Sequence, residues 1–279
     1  MGPYKTKDYK SGVRPIWCPG CGDYAVLNAL MRAFAQLEIA PERIAVASGI
    51  GCSSRFPAFL QTYGFHGIHG RPLPLATGIK LGKPELTVVA VGGDGDGFSI
   101  GGGHLPHAAR RNVDLTYIVM DNSIYGMTKG QPSPTTPPGT VRKASPYGSL
   151  ERPLNPLMML LAYEASFVAR AFSGEIKQMV EIIKSALQHP GFAFVQVLSP
   201  CVSFYDSYDH YRGIAEPLPE EHDRSDLMEA MRLARVGTPQ YLGIFYEERE
   251  RRSYSAQIED LQERAPETTV SEVMDRYLR

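Results

Sequence analysis

The feature that most constrains the fold is a repeated alternation of continuous apolar runs with amphipathic segments. The runs are apolar over most of their length rather than at every second residue, and they indicate buried strands at residues 43–49, 85–95, 115–122, 167–172 and 191–200. The segments between them carry apolar residues at helical spacing, as Leu27, Leu30 and Phe34 do in "DYAVLNALMRAFAQLEI". Strands of this kind are typical of parallel sheets that are covered on both faces. We therefore predict an α/β fold, a parallel sheet with helices on both faces.

Helices are predicted over residues 23–39, 73–82, 97–112, 156–165, 173–188, 226–236 and 270–278. Ser173 is expected to be the N-cap of its helix, and Thr269 with Glu272 to form a capping box before the last one. The proline-rich segment 130–149 interrupts the alternation and is interpreted as a surface loop near a site. The sheet is expected to be complete by residue 200, so that residues 201–279 form an irregular tail.

Composition narrows the class of protein. With 279 residues, 43% of them apolar, and a net charge of −1, the chain can bury a full core and gives no strong electrostatic case for nucleic acid. Its longest apolar run, "NPLMMLLAYEA", is too short to cross a bilayer, and its polar start, "MGPYKTKDYK", lacks a secretory pattern. We expect a cytoplasmic protein without membrane or nucleic-acid partners, a setting in which structural disulfides are rare.

The cysteines of the chain are Cys18, Cys21, Cys52 and Cys201. The first pair lies in "WCPGCG", where Pro19 and Gly22 favour a tight turn whose N–H groups are able to donate to sulfur. Cys52 and Cys201 each follow a predicted strand, and open α/β sheets bind ligands where the carboxyl ends of their strands meet. Four thiolates suit one zinc ion or one 4Fe–4S cluster, and ligand number does not decide between them. In the alternative interpretation the cysteines are small buried apolar side chains.

A second set of polar residues follows two successive strands. Asp94 ends one strand in "VGGDGDG", and Asn122 ends the next in "LTYIVMDN". One βαβ unit brings both residues to the same sheet edge, where their oxygen atoms suit a hard divalent cation such as Mg²⁺. The glycines beside Asp94 let backbone N–H groups approach a phosphate at a helix N-terminus. The pattern therefore predicts a magnesium ion that holds a diphosphate.

These motifs together resemble a known family. Gly-Asp-Gly followed by Asn one βαβ unit later is similar to the thiamine diphosphate-binding motif. The full set resembles the β subunits of 2-oxoacid:ferredoxin oxidoreductases, through "WCPGCG", "GIGCSSRF", "HGIHGRPLPLATGIKLG", "DNSIYGMTKGQPSPT" and "SPCVSF". The resemblance implies a thiamine diphosphate-binding fold. It places the cofactor and an iron–sulfur cluster in residues 1–200, with residues 201–279 as a wrapping extension of the same domain.

The resemblance also implies roles for individual residues. The four cysteines are expected to hold one 4Fe–4S cluster, so iron is preferred over zinc. The implied Mg²⁺ ligands are Asp94, Asn122 and the carbonyl group of Ile124. The residues implied to line or contact thiamine diphosphate are Ser53, His69, Gly93, Gly95 and Asp96. The residues implied to face the substrate are Arg55, Met127 and Lys129.

The implied reaction is oxidative decarboxylation of a 2-oxoacid with coenzyme A, which gives acyl-CoA, CO₂ and reduced ferredoxin. Thiamine diphosphate stabilises the carbanion left after CO₂ departs, and a cluster accepts single electrons. Two cations, Arg55 and Lys129, favour a dicarboxylate such as 2-oxoglutarate over pyruvate. Met127 stands where leucine is expected, which leaves pyruvate or broad 2-oxoacid specificity as the alternative.

The resemblance implies partners as well. In the family the α subunit supplies the glutamate that activates thiamine, and we find no candidate glutamate beside the cofactor motifs of this chain. We therefore expect a site completed by an α subunit, with ferredoxin as the electron acceptor. From a different functional class, a zinc-stabilised, non-catalytic scaffold subunit remains the alternative.

Overall fold

The computed structural model describes residues 3–265 and 267–278. In these residues the strands are β1 (Ile44–Ser48), β2 (Tyr63–His66), β3 (Thr87–Gly93), β4 (Leu115–Asp121), β5 (Ile124–Tyr125), β6 (Gln131–Pro132), β7 (Phe167–Phe172), β8 (Phe192–Leu198), β9 (Ala215–Pro217) and β10 (Gln240–Glu247). The α-helices are α1 (Asp23–Gln36), α2 (Phe56–Phe59), α3 (Pro72–Gly82), α4 (Leu105–Arg111), α5 (Pro156–Ala162), α6 (Ile176–Leu187), α7 (Tyr208–Ile214), α8 (Leu227–Ala234), α9 (Tyr254–Arg264) and α10 (Val270–Tyr277). None of the helices so described is long and apolar enough to span a membrane.

The architecture is a mostly parallel sheet. Across the described residues, eight strands form it in the order β2-β1-β3-β4-β8-β7-β10-β9, while β5 and β6 form a separate antiparallel pair. All neighbouring strands of the large sheet run parallel except β7 and β10. The strands β1, β4, β7 and β8 are buried along their whole length, as continuous apolar runs require. The predicted α/β fold is confirmed.

Helices cover both faces of the sheet. On one face α1 and α6 pack Leu30 and Ile183 against strand residues such as Val195. On the other face α3, α4, α5 and α8 pack against the sheet, and Leu160 lies in the same cluster as Phe194. The sheet therefore divides the apolar core into two main layers, and Phe172, Leu198 and Leu242 form a smaller third cluster.

The expectation that the sheet is complete by residue 200 is wrong. The segment after Cys201 adds β9 and β10, and Leu242, Ile244 and Phe245 of β10 are buried. The run "YLGIFY" stands among charged residues, which hid its strand character, but an antiparallel strand beside an otherwise parallel sheet is common. The tail is thus part of the sheet as well as a covering for it.

Two predicted helix details also differ. Residues 97–112 are not one helix: a π-helical turn covers Asp96–Ile100, Ser99 has non-helical angles, and α4 begins only at Leu105 after the glycine triplet 101–103, since glycine weakens a helix. Ser173 is not an N-cap, because α6 begins at Ile176 and the Ser173 N–H donates to the Leu198 carbonyl group. The capping box of Thr269 and Glu272 is confirmed.

The proline-rich segment 130–149 is a surface loop only in part. Residues 137–139, 141, 143, 144, 146 and 147 are exposed, but Ser133, Thr135 and Thr136 are buried. The Thr136 hydroxyl donates to the Ser123 carbonyl oxygen at 2.6 Å, and the Ser133 N–H donates to the Thr136 hydroxyl at 2.7 Å. The first third of the loop is therefore fixed against the end of β4.

Candidate active site

The carboxyl ends of four neighbouring strands carry the polar residues singled out in the sequence. Asp94 directly follows β3 and Asn122 directly follows β4, while Cys52 lies in the loop after β1 and Cys201 in the segment after β8. Because β1, β3, β4 and β8 are adjacent and parallel, their ends meet at one edge. This is the edge at which open α/β sheets bind ligands.

One cavity at this edge, of about 230 Å³, is lined by all four cysteines together with Arg55, Asn122 and Met127. Its centre is bordered by Gly126: a side-chain carbon built there would lie 3.5 Å from the Cys201 Sγ atom and 4.0 Å from the Cys52 Sγ atom. We call it the cysteine cavity. No group of three or more His, Cys, Asp or Glu side chains in residues 3–265 and 267–278 is arranged to hold a single metal ion.

The Cys18–Cys21 segment is a tight turn, with Gly20 at a φ of +86°. Its N–H groups do not all point to sulfur: the Cys21 N–H donates to the Cys18 carbonyl oxygen at 3.0 Å, and the Gly22 N–H donates to the Pro200 carbonyl oxygen at 3.3 Å. Our interpretation of the turn as a donor to sulfur is therefore wrong for these two groups. The Trp17 Nε1–H instead joins the turn to the loop that carries Cys52 by donating to the Cys52 carbonyl oxygen at 2.7 Å.

Burial controls the electrostatics of the cysteine cavity. It raises the pKa of Cys52 to about 11, and the Asp23 carboxylate adds to this effect while Arg55 opposes it. Burial and Asp23 also raise the pKa of Cys21. Asp23 is itself buried, with a pKa raised to about 6 and a hydrogen bond from the Ser199 hydroxyl at 3.1 Å. The thiolate forms that a metal centre needs are therefore favoured only when a bound cation compensates their charge.

A second cavity, of about 100 Å³, adjoins the first, and we call it the diphosphate cavity. It is lined by every residue that the resemblance assigned to the cofactor and to Mg²⁺: Ser53, His69, Gly93, Asp94, Gly95, Asp96, Asn122 and Ile124. The residues that line both cavities are Cys52, Asn122, Gly126 and Met127. The two sites derived separately from the sequence thus share a wall.

Asp94 is almost completely buried at the base of the diphosphate cavity. Its Oδ1 atom accepts the Asn122 N–H at 3.3 Å, and its Oδ2 atom accepts the Thr135 hydroxyl at 3.0 Å. Burial, and after it the charge of Asp121, raises the pKa of Asp94 to about 7. A buried carboxyl group is stable when it is protonated or paired with a cation, and oxygen atoms of the adjacent Asn122 and Ile124 would suit a hard divalent cation such as Mg²⁺.

Asp96 lines the same cavity but is held by the backbone. Its Oδ1 atom accepts the N–H groups of Ile50 at 2.9 Å and Gly70 at 2.7 Å. The His69 Nδ1 atom lies 3.0 Å from the same oxygen. Asp96 therefore joins the loop after β1 to the loop before α3, and its carboxylate lies beside the His69 ring.

The residues expected to face the substrate are not all brought together. Arg55 and Met127 line the cysteine cavity, and Met127 also lines the diphosphate cavity. Lys129 is exposed, has a φ of +77° and borders neither cavity. The geometry thus supports a substrate position for Arg55 and Met127 beside the shared wall, and leaves Lys129 outside it.

A chain of buried polar side chains leads away from Asp94. The Thr135 hydroxyl lies 2.8 Å from the Asp121 Oδ1 atom, and the Gln196 amide donates to the Asp121 Oδ2 atom at 2.7 Å. The Arg170 Nε–H donates in turn to the Gln196 Oε1 atom at 2.9 Å. Burial raises the pKa of Asp121. This chain connects the diphosphate cavity to β7, in the middle of the sheet.

Comparison with known families divides the chain in two. The family described as "Thiamine pyrophosphate enzyme, C-terminal TPP binding domain" matches residues 49–197. A second family, described as the C-terminal part of the beta subunit of pyruvate ferredoxin oxidoreductase, matches residues 201–263. The first match contains Asp94 and Asn122, and the second begins at Cys201.

Individual relatives agree with this division. The chain is 38% identical over 269 residues to subunit beta of 2-oxoacid:ferredoxin oxidoreductase 2 from Aeropyrum pernix, a match over 91% of this chain and 87% of that protein. The chain belongs to the family of 2-oxoacid:ferredoxin oxidoreductase β subunits. This β subunit is also 49% identical over 211 residues to the 2-oxoglutarate oxidoreductase subunit KorB from Mycobacterium tuberculosis, a match over 75% of the chain but only 57% of that relative.

A solved structure extends the likeness to the whole β subunit. The 2-oxoglutarate:ferredoxin oxidoreductase from Magnetococcus marinus, with 2-oxoglutarate, coenzyme A and succinyl-CoA bound, contains a chain that superposes with a TM-score of 0.95. That chain is 46% identical, and the match covers 100% of this chain and 97% of that one. The family resemblance and the thiamine diphosphate-binding fold predicted from the sequence are confirmed.

Several residues of the site in this β subunit were not found from the sequence. Asp23 begins α1 and gave no signal apart from its place after "CPGC". Arg170 in "FVARAF" and Gln196 in "FVQVL" did give one, because a buried charge or amide inside an apolar strand requires a polar partner. Thr135 gave no signal in the sequence, since its contact with Asp94 depends on how the proline-rich segment folds back.

Proposed function

We propose that this chain is the catalytic β subunit of an enzyme that decarboxylates a 2-oxoacid oxidatively, with 2-oxoglutarate favoured. In this reaction coenzyme A becomes an acyl-CoA and ferredoxin is reduced. The observation that carries the proposal is the wall shared by the diphosphate and cysteine cavities. A carbanion-stabilising cofactor and a one-electron acceptor need to be close, and two adjoining cavities in one chain would meet this requirement.

The cofactors we propose are thiamine diphosphate with Mg²⁺ in the diphosphate cavity and one 4Fe–4S cluster in the cysteine cavity. Asp94, Asn122 and the Ile124 carbonyl group would hold Mg²⁺, with Gly93 and Gly95 beside the diphosphate. The cluster would bind to the four cysteines: Cys18, Cys21, Cys52 and Cys201. The thiamine group, when bound, supplies the nucleophilic carbon and the electron sink of the reaction.

Thr135→Val tests the support of the metal site. We expect this change to weaken the affinity for Mg²⁺ and thiamine diphosphate about 10–100-fold, the range typical of partners that orient metal ligands. The Thr135 hydroxyl is within hydrogen-bond distance of both Asp94 and Asp121 and has one proton to donate, so the variant removes the donor that these two carboxylates share. Isothermal titration calorimetry with the cofactor measures the affinity.

Thr140→Val is the matched control, since the Thr140 hydroxyl donates to the Pro137 carbonyl group. Equal affinities in the two variants would contradict the role of Thr135.

The substrate proposal rests on Arg55 beside the shared wall and on Lys129. Arg55→Gln is expected to raise the KM for every 2-oxoacid about 10–100-fold, because a hydrogen bond to a charged group is worth about 1.5–3 kcal/mol. Lys129→Gln is expected to affect 2-oxoglutarate more than pyruvate, which requires its exposed side chain to turn toward the cavity when substrate binds. Lys143→Gln, an exposed cation of the same loop, serves as the control. If Lys129→Gln raises both KM values equally, Lys129 does not select the dicarboxylate.

The proposed partners are an α subunit, coenzyme A and ferredoxin, in the cytoplasm. Cys18 is exposed while Cys21 and Cys52 are half-buried, so a cluster here would come nearest to solvent at Cys18. We propose that ferredoxin takes its electron on this side. The whole of residues 1–279 is proposed to act as one domain, with residues 201–279 as its extension.

One experiment decides between this function and a zinc-stabilised scaffold subunit. The chain, purified without oxygen together with its α subunit, is assayed for ferredoxin reduction that depends on both a 2-oxoacid and coenzyme A. We expect 2-oxoglutarate to support the reaction with a higher kcat/KM than pyruvate. Bound zinc without acid-labile sulfide, and no activity with any 2-oxoacid, would instead support the scaffold.

A further inference from the structure

A third cavity, of about 440 Å³, lies on the far side of Asp121 from the diphosphate cavity. Its floor is formed by the ends of β4, β7 and β8, and its walls by the segment before α5, by α7 and by the turn between α8 and β10. The basic residues that line it are Arg152, Arg170, His210 and Arg235. We propose that this cavity binds a small anion that carries carboxylate or phosphate groups, separately from the thiamine diphosphate and substrate positions.

Arg170, on the floor of the cavity, is the residue that most favours anion binding there. It is only 4% exposed, and its Nε–H donates to the Gln196 Oε1 atom. Its two Nη atoms make no hydrogen bond to any residue in the described ranges, and the guanidinium lies 5.6 Å from the Phe245 ring centre. A guanidinium has five N–H donors, and the Arg170 Nη atoms are not among the fully buried atoms that lack a partner, so these donors are accessible from the cavity that Arg170 lines. A bound anion would satisfy the Nη atoms that the protein leaves unpaired.

The charges of the side chains that line the cavity are not balanced. Asp121 is the one carboxylate among the described residues that line the cavity, and it already accepts from Gln196, Ser123 and Thr135. Burial lowers the pKa of Arg170 to about 10, which still leaves it charged at neutral pH. The lining as a whole carries three arginines, Arg152, Arg170 and Arg235, against this one carboxylate, and its net charge is positive.

The rim adds cations that have no ion pair. Arg152 and Arg235 are exposed, and neither forms a salt bridge within the part of the chain that the structure describes. Arg232, three residues before Arg235, is by contrast paired with Glu229 and does not line the cavity. Planar guanidinium groups bind carboxylates and phosphates in a bidentate manner. A cavity of this volume is in the usual range for small ligands.

The test measures anion binding directly. The complex of this chain with its α subunit is saturated with Mg²⁺ and thiamine diphosphate, so that the diphosphate cavity is not available to the probe. Inorganic phosphate and citrate are then titrated by calorimetry at constant ionic strength. We expect one of the two probes to bind with a stoichiometry of one per β chain, and the stronger binder identifies phosphate or carboxylate as the preferred group.

Arginine variants test whether the anion binds in this cavity. We expect Arg170→Gln and the double variant Arg152→Ala/Arg235→Ala each to weaken it at least about 10-fold, as the loss of a charged hydrogen bond does. The double variant changes only exposed side chains, so the test stands even if Arg170→Gln does not fold. Arg232→Ala is the matched control and should leave the affinity unchanged.

Three results would overturn the proposal. The first is no saturable binding of either probe in the millimolar range, as expected if a side chain of the α subunit fills the cavity. The second is binding that the arginine variants do not change. The third is binding that appears only when Mg²⁺ and thiamine diphosphate are left out, which would place the anion in the diphosphate cavity. None of these measurements depends on 2-oxoacid turnover. A failure of the proposed function can therefore be told apart from a failure of the anion-binding proposal.

Discussion

Replacing Cys52 with alanine is expected to reduce the iron content of the chain from about four atoms to nearly none, since a 4Fe–4S cluster takes one thiolate for each iron atom. Acid-labile sulfide should be lost in parallel, and ferredoxin reduction should fall to background. Cys52 lines both cavities, and each of the other three cysteines that line the cysteine cavity is itself needed as a ligand, so none of these thiols is free to replace it. Iron, zinc and sulfide analysis of the protein purified without oxygen measures the effect.

The control for Cys52→Ala is Val202→Ala, which shortens an apolar side chain of the same cavity without removing sulfur. It should keep its iron and sulfide. Binding of the cofactor also separates the two sites: Cys52→Ala should still bind Mg²⁺ and thiamine diphosphate, because the cation ligands lie in the adjacent cavity. Iron retained in Cys52→Ala, or zinc in place of iron in the wild-type chain, would contradict the proposed cluster.

Replacing Asp94 with asparagine is expected to weaken the affinity for Mg²⁺ and thiamine diphosphate by more than about 100-fold. This loss is larger than the 10–100-fold typical of residues such as Thr135, which hydrogen-bond to a metal ligand without being ligands themselves. Asp94 supplies the buried charge of the metal site, and the amide supplies none. Turnover at a fixed cofactor concentration should fall accordingly. Asp260→Asn, which removes a carboxylate paired with Arg252 far along the chain in α9, serves as the control.

The same variant should have the opposite effect on the stability of the cofactor-free protein. Burial and Asp121 raise the pKa of Asp94 to about 7, so the folded state holds this carboxylate at a cost when no cation is bound. We expect Asp94→Asn to have a Tm at least equal to that of the wild-type chain without Mg²⁺, and to gain nothing when Mg²⁺ and thiamine diphosphate are added. A large Tm increase on addition of the cofactor would show that Asp94 is not a ligand.

Much of the site was predictable because its residues follow strands. In a parallel sheet the strand ends meet at one edge, so Asp94, Asn122, Cys52 and Cys201 were expected together from their order along the chain alone. The same argument fails for Lys129, whose loop conformation is not set by a strand. It fails also for the Cys21 and Gly22 N–H groups, because the choice between a sulfur atom and a carbonyl oxygen depends on Cys18 and Pro200 nearby.

The sequence by itself determined the α/β class, the family and the set of residues at the sheet edge, because these follow from local periodicity and from motifs of fixed spacing. Only the tertiary structure decided that β10 joins the sheet through β7, that Thr135 folds back onto Asp94 and Asp121, and that Arg170 faces a cavity with its Nη atoms unpaired. The physical reason is that these contacts join residues far apart in the chain, and their hydrogen-bond partners are selected by packing and burial.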